Sequence, residues 1–285
     1  MKRTKYIVFS ILLGLSIFCS TLFLWAQSSI VKSAQDLALD QNREGIYNLI
    51  NKHEDQIKAS ISEMTQLNRL AEVFFTELGQ NRYSSGLSVL GSDPKLAYSR
   101  FAEAYEMEKN HQKSLHGMAV AEIQQLQCSQ AKTLLVKHLL SNPVDGEAHL
   151  LLAMAYLCMN QWAEADKVLS QLEQLGTHSS DERLFILRIR IAEKREILDE
   201  KNKVLEKANQ KIQIFSAEKS WYRWLLAETA EDRITYAEEY ILRCKKFLQQ
   251  TYRKEPLFPL YCSETSLVEK ELAVLKREIQ QEDVQ

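Results

Sequence analysis

The chain has 285 residues and a formal net charge of −2, from 36 Lys and Arg against 38 Asp and Glu. That length holds one or two domains, and the near-neutral balance argues against a nucleic-acid partner, which usually needs a basic face. Only 8 Gly and 4 Pro are present, so turns are few and helices long, and the 45% apolar fraction is that of a folded chain.

The first element is apolar. Lys2, Arg3 and Lys5 precede an uncharged run from Tyr6 to Ala26. At 1.5 Å per residue the run is about 31 Å long, enough to cross a hydrocarbon core of about 30 Å. A cleavable signal has a shorter apolar stretch and small residues before the cut, whereas the best site here is Leu24-Trp25-Ala26. Phe18 before Cys19 also spoils a lipoprotein site. Residues 1–26 are therefore expected to be an uncleaved signal-anchor helix. The positive residues stay in the cytoplasm, giving a single-pass inner-membrane protein with the rest of the chain on the exoplasmic side, the periplasm in a bacterium.

Residues 27–92 form a second region. Gln27 to Asn42 is mixed and suits a helical continuation or a linker. Ile46, Ile50, His53, Ile57, Ile61, Met64, Leu67, Ala71, Phe74 and Leu78 are spaced by three and four, which predicts one long amphipathic helix. Phe74 and Phe75 are bulky for a coiled-coil seam, so this helix is expected to cap the repetitive region C-terminal to it. Gly79 to Ser92 holds three glycines and several serines and predicts a loop. Asp93-Pro94 restarts a helix, as N-cap and first helical residue.

From 93 to 254 the sequence repeats itself. Leu152-Ala153, Trp162, Ala165 and Leu169 follow Met118-Ala119, Cys128, Ala131 and Leu135 at one constant interval. Ala97, Phe101 and Ala104 fall in register with Ala131, Leu135 and His138. Asn142-Pro143-Val144-Asp145-Gly146 separates two full units. A fainter unit carries Ile186-Leu187, although Asp199 stands where a small residue is expected. A fourth, slipped by about one helical turn, carries Trp224-Leu225, Ile234, Ala237, Ile241 and Cys244. Residues 255–285 add a loop containing Pro256 and Pro259 and a last helix from Ser266, with Val268, Leu272 and Leu275 on one face and Ser266 and Glu269 in a capping-box pattern.

This grammar, and the length of its interval, resemble the tetratricopeptide repeat. The resemblance implies an all-α solenoid of antiparallel helix pairs, here preceded by the transmembrane and amphipathic helices. It also implies a concave groove lined by first helices, which holds a segment of a partner protein. In this register the groove carries His116, Val120, Ile123, Leu150, Met154, Leu157, Leu184, Arg188, Ile191, Tyr222 and Leu226. That surface is mostly apolar and suits a helical or apolar segment; alternatively, several of these residues pack beneath the N-terminal helix.

No GxSxG, HExxH or phosphate loop is present, and the carboxylates alternate with Lys and Arg as on solvated helices. No enzyme, cofactor or metal site is expected. His111 and His116 do not share a helical face, and His138 and His149 suggest no third ligand. Cys128 and Cys244 occupy small or apolar repeat positions, as reduced buried thiols do. The alternative is pairing: Cys128 with Cys158, at the same end of the stack in such repeats, and Cys244 with Cys262. Two function classes follow: a membrane-anchored scaffold or adaptor for envelope proteins, or a structural subunit of an envelope assembly such as a secretion or pilus machine.

Overall fold

The computed structural model describes residues 28–179, 181–194, 220–221, 223–225, 227–248 and 265–282. Among them the chain is all-helical, with no strand, and the helices pack in pairs. No helix among the described residues is long and apolar enough to cross a membrane. The run Tyr6–Ala26, the Pro256–Pro259 loop, Tyr222, Leu226 and Cys262 lie outside the described residues.

Four helices lead. These are α1 Ser29–Leu39, α2 Arg43–Lys52, α3 Glu54–Lys58 and α4 Ile61–Ala71. The single amphipathic helix expected from Ile46 to Leu78 is thus three shorter ones. Most of the stripe is buried, with Ile46, Ile50, Ile57, Met64, Leu67 and Ala71 fully so, but Ile61 and Leu78 are exposed. The breaks fall at His53 and at Ser60, whose hydroxyl accepts from the Glu63 N–H and so starts α4. Breaking the helix lets α4 fold back onto α1 and α2 and lets α2 reach across to α8. Periodicity survives a tight turn, so it did not register the fold-back.

Next come α5 Glu77–Val89 and α6 Pro94–Met107. Helix α5 replaces the loop expected at Gly79–Ser92. Its glycines serve close packing. A Cβ on Gly86 would lie 2.6 Å from the Phe101 ring, and one on Gly117 would lie 2.8 Å from another part of the same ring. Phe101, fully buried, is wedged between α5 and α7 because both present glycine there. Asp93 caps α6, accepting from the Leu96 N–H, with Pro94 as its first residue.

The middle of the chain is α7 Gln112–Gln124, α8 Cys128–Ser141, α9 Gly146–Cys158 and α10 Trp162–Leu175. Helices α7 and α9 begin and end one repeat period apart, as do α8 and α10. The turns repeat too. Leu126 and Asn160 both adopt left-handed φ, 60° and 58°, and Gln127 and Gln161 donate to Glu122 and Tyr156 in the same way. Matched residues are buried together: Ala119 with Ala153, Ala131 with Ala165, Leu135 with Leu169. Helix α6 precedes α8 by the same period, so α5 and α6 are one further pair. The first helices α5, α7, α9 and α11 (Glu182–Lys194) each touch the next.

Helices α12 Ala230–Leu248 and α13 Thr265–Glu282 pack on each other. Ala237, Cys244 and Val268 are buried between polar outer faces. Because α13 starts at Thr265, Ser266 stands inside its first turn and does not cap it.

A buried polar latch ties the leading helices to the pairs. Arg43, at the start of α2, donates to the carbonyls of Ala71 at 3.2 Å, Val73 at 2.6 Å and Glu108, and to the Glu108 carboxylate at 3.2 Å. Its guanidinium also lies over the Phe75 ring. Glu108 in turn accepts from the backbone of Phe75 and Thr76. Burial would raise its pKa, but these donors outweigh burial and hold it below the ordinary range.

Candidate functional site

The residues expected to form an open apolar groove are mostly core. Leu150 is 0% exposed, Met154 2% and Leu157 8%, and Ile123, Leu184 and Ile191 are also buried. The reason lies in α9. Leu151, Leu152 and Ala155 are apolar on its remaining faces, and a helix apolar all round belongs inside. Arg188 is half-buried and ion-paired with Asp166 and Glu173 of α10, so its charge is spent within the molecule. Of the expected set, among the described residues, His116 and Val120 line an open cleft.

That cleft, of about 470 Å³, lies where first helices begin. Asn68 of α4, Glu72 just past its end and Tyr83 of α5 form one wall; Gln112, Lys113, His116 and Val120 of α7 form the second. Asp145, Gly146 and Glu147 at the start of α9, with His178 and Arg183, close the third side. Its base is a buried amide network. Asn142 donates to Asn68 at 2.8 Å and to Gln112 at 2.9 Å, and Asn68 donates to the Val144 carbonyl at 2.9 Å. The rim charges are paired, Lys113 with Glu72 at 3.4 Å and Arg183 with Glu147 through two hydrogen bonds. Burial pushes the Glu72 carboxyl up, partly offset by Lys113.

Behind the α7 wall sits a polar cluster. His116 of α7 and His138 of α8 both direct Nε2 at Asp145 Oδ2, at 2.8 and 2.7 Å. The other Asp145 oxygen accepts from the Ala148 N–H and caps α9. All three residues are buried. Burial alone would lower the His116 pKa, but the Asp145 carboxylate reverses the sign and raises it. Burial would raise Asp145, but the two imidazoles hold it well below the carboxylate range. The cluster therefore holds a buried carboxylate ionised and can keep a proton on a neighbouring imidazole. His111, the cap of α7, behaves in the opposite way. Its Nδ1 accepts from the Ser114 N–H, its Nε2–H donates to the Glu72 carbonyl, and burial lowers its pKa to about 4.

The sequence reading found no third ligand for the histidines, and the fold supplies Asp145. A signal was present. One repeat later, His116 and His138 correspond to Leu150 and Leu172, both core residues. Two histidines at apolar positions of one unit require a shared polar partner.

Cys128 is not a reduced thiol. It is bonded to Cys158, with Cα atoms 6.1 Å apart, joining the start of α8 to the end of α9. Cys244 is likewise disulfide-bonded. Both were expected to be small hydrophobes, and their burial fits that role; what decided otherwise is the neighbouring sulfur, which burial pattern does not reveal. Compared with protein-family models, with curated proteins and with solved structures, the chain matches none of them.

Proposed function

We propose that the chain is a tetratricopeptide-like scaffold, anchored through Tyr6–Ala26, that holds a segment of another envelope protein in the cleft beside α7. The observation that carries this reading is the cleft itself, walled by successive first helices whose regular spacing sets them side by side. The binding surface is more polar than the sequence register suggests. Its half-exposed groups are Lys113, Glu72, Glu147 and Arg183, while Gln112 and Val120 are buried in its lining. A partner segment here would place charged and hydrogen-bonding groups against it. The Cys128–Cys158 bond supports an exoplasmic location, because disulfides persist in oxidising compartments.

The test is site-specific photo-crosslinking of the full-length chain in cells. A crosslinker replacing Lys113, in the cleft, should capture a defined partner. One replacing Leu140, 76% exposed on α8, should not. Capture from Leu140 and none from Lys113 would remove the cleft from the proposal. A structural subunit of an envelope assembly, the other function class, would give one stoichiometric adduct, and an adaptor several substoichiometric ones.

A further inference from the structure

The cluster behind the cleft has a chemistry that partner binding does not use. Two imidazole nitrogens and one carboxylate converge from three different helices, and their ligand atoms lie within 4.8 Å of one another. We propose that His116, His138 and Asp145 form a binding site for a divalent cation of the zinc class.

The donor set selects the metal. Two imidazoles and a carboxylate suit zinc, cobalt or nickel, whereas magnesium and calcium favour oxygen ligands throughout. The geometry needs a small adjustment. Zinc bonds of about 2.0–2.1 Å in a tetrahedron place ligand atoms about 3.3 Å apart. The two nitrogens now stand 2.8 and 2.7 Å from the shared oxygen, at hydrogen-bond distance. The metal binds the lone pair of each Nε2, so each neutral imidazole carries its one N–H on Nδ1, and any second imidazole proton is released to solvent. The carboxylate oxygen then separates from each nitrogen by roughly half an ångström.

The surroundings favour such an ion. Asp145 is oriented by its second oxygen, which is fixed on the Ala148 N–H. His138 is packed edge-on against Tyr47, with ring centroids 5.8 Å apart. Three protein ligands leave one coordination position, as at zinc sites that exchange a water or an outside ligand. His116 and Asp145 also line the cleft. Binding there would also clamp α7, α8 and α9 together.

The test uses the full-length chain in detergent, stripped with a chelator and titrated with zinc. A single tight equivalent is expected, and cobalt should give the intense visible bands of a four-coordinate ion. His116→Gln and His138→Gln should each weaken zinc binding by more than about 100-fold, beyond what loss of an outer-shell partner causes. His53→Gln should leave it unchanged. Absence of a stoichiometric site, or binding that survives both cluster substitutions, overturns the proposal. Should those variants fail to fold, X-ray absorption on the zinc-loaded wild type decides. Two imidazoles in the coordination shell support the site; one or none overturns it.

Discussion

Helices α5 and α9 hold the same place, each the first of a pair, yet they are built in opposite ways. In α9 ten of the thirteen residues are buried, from Gly146 through Leu157. In α5 only Gly79, Tyr83 and Gly86 are buried. Helix α9 is positioned by large apolar side chains filling space on every side. Helix α5 is positioned by what it lacks, because Gly86 admits the Phe101 ring and Gly79 admits the Glu108 side chain. The pair geometry therefore tolerates two packing solutions. The first reads as strong hydrophobicity. The second leaves almost no periodic signal.

The largest effect is expected in α9. Met154→Glu places a charge at a position 2% exposed, with no partner for it. Stability should fall by more than about 4 kcal/mol, read by urea unfolding of a fragment that begins after Ala26. An unchanged midpoint would mean that Met154 faces an open surface after all.

On the α5 side the corresponding weak point is the latch. Arg43→Ala leaves the Glu108 carboxylate buried without its cation and strips the Ala71 and Val73 carbonyls of a donor. A loss of about 3–5 kcal/mol should follow. Hydrogen exchange should show α2, α4 and α5 loosening before α9 does.

Acid should act through His111, at the junction of the two regions. Its folded pKa is about 4 against 6.5 for the free side chain, so the unfolded chain binds the extra proton first. The stabilisation is complete above about pH 6.5 and is lost as pH falls through about 4, a total of about 3 kcal/mol. His111→Asn keeps an N-cap and removes the titration. The stability–pH curve of this variant should be flatter between pH 7 and 4, and an unaltered slope would reassign the effect.

Gly86→Ala sharpens the packing contrast. The added methyl meets the Phe101 ring, and the overpacking should cost about 1–3 kcal/mol. Phe101→Leu on the same background should recover part of that loss, since the two sites share one contact. The smallest effect has the opposite sign. Leu126 is a bulky residue at φ 60° and 81% exposed, where the matching turn has Asn160. Leu126→Asn should stabilise by about 1 kcal/mol, relieving the left-handed strain. Both substitutions are checked by denaturant midpoints.

By itself the sequence determined the all-helical class and the register from α6 to α10. Pairs such as Ala131 and Ala165, or Leu135 and Leu169, recur at a fixed interval, and a recurrent core position must stay apolar or small in every unit. It did not determine which apolar faces stay open. Leu150, Met154 and Leu157 have the spacing of a groove stripe, but spacing fixes only their side of the helix, and neighbouring elements decide what covers that side. It missed α5, because glycine signals flexibility to a local reading and close approach only when Phe101 is in view. It divided the metal-competent cluster among three helices, with Asp145 visible only as a cap. Contacts between residues such as His116 and Asp145, 29 positions apart, carry no local periodicity, so only tertiary packing could bring them to one oxygen.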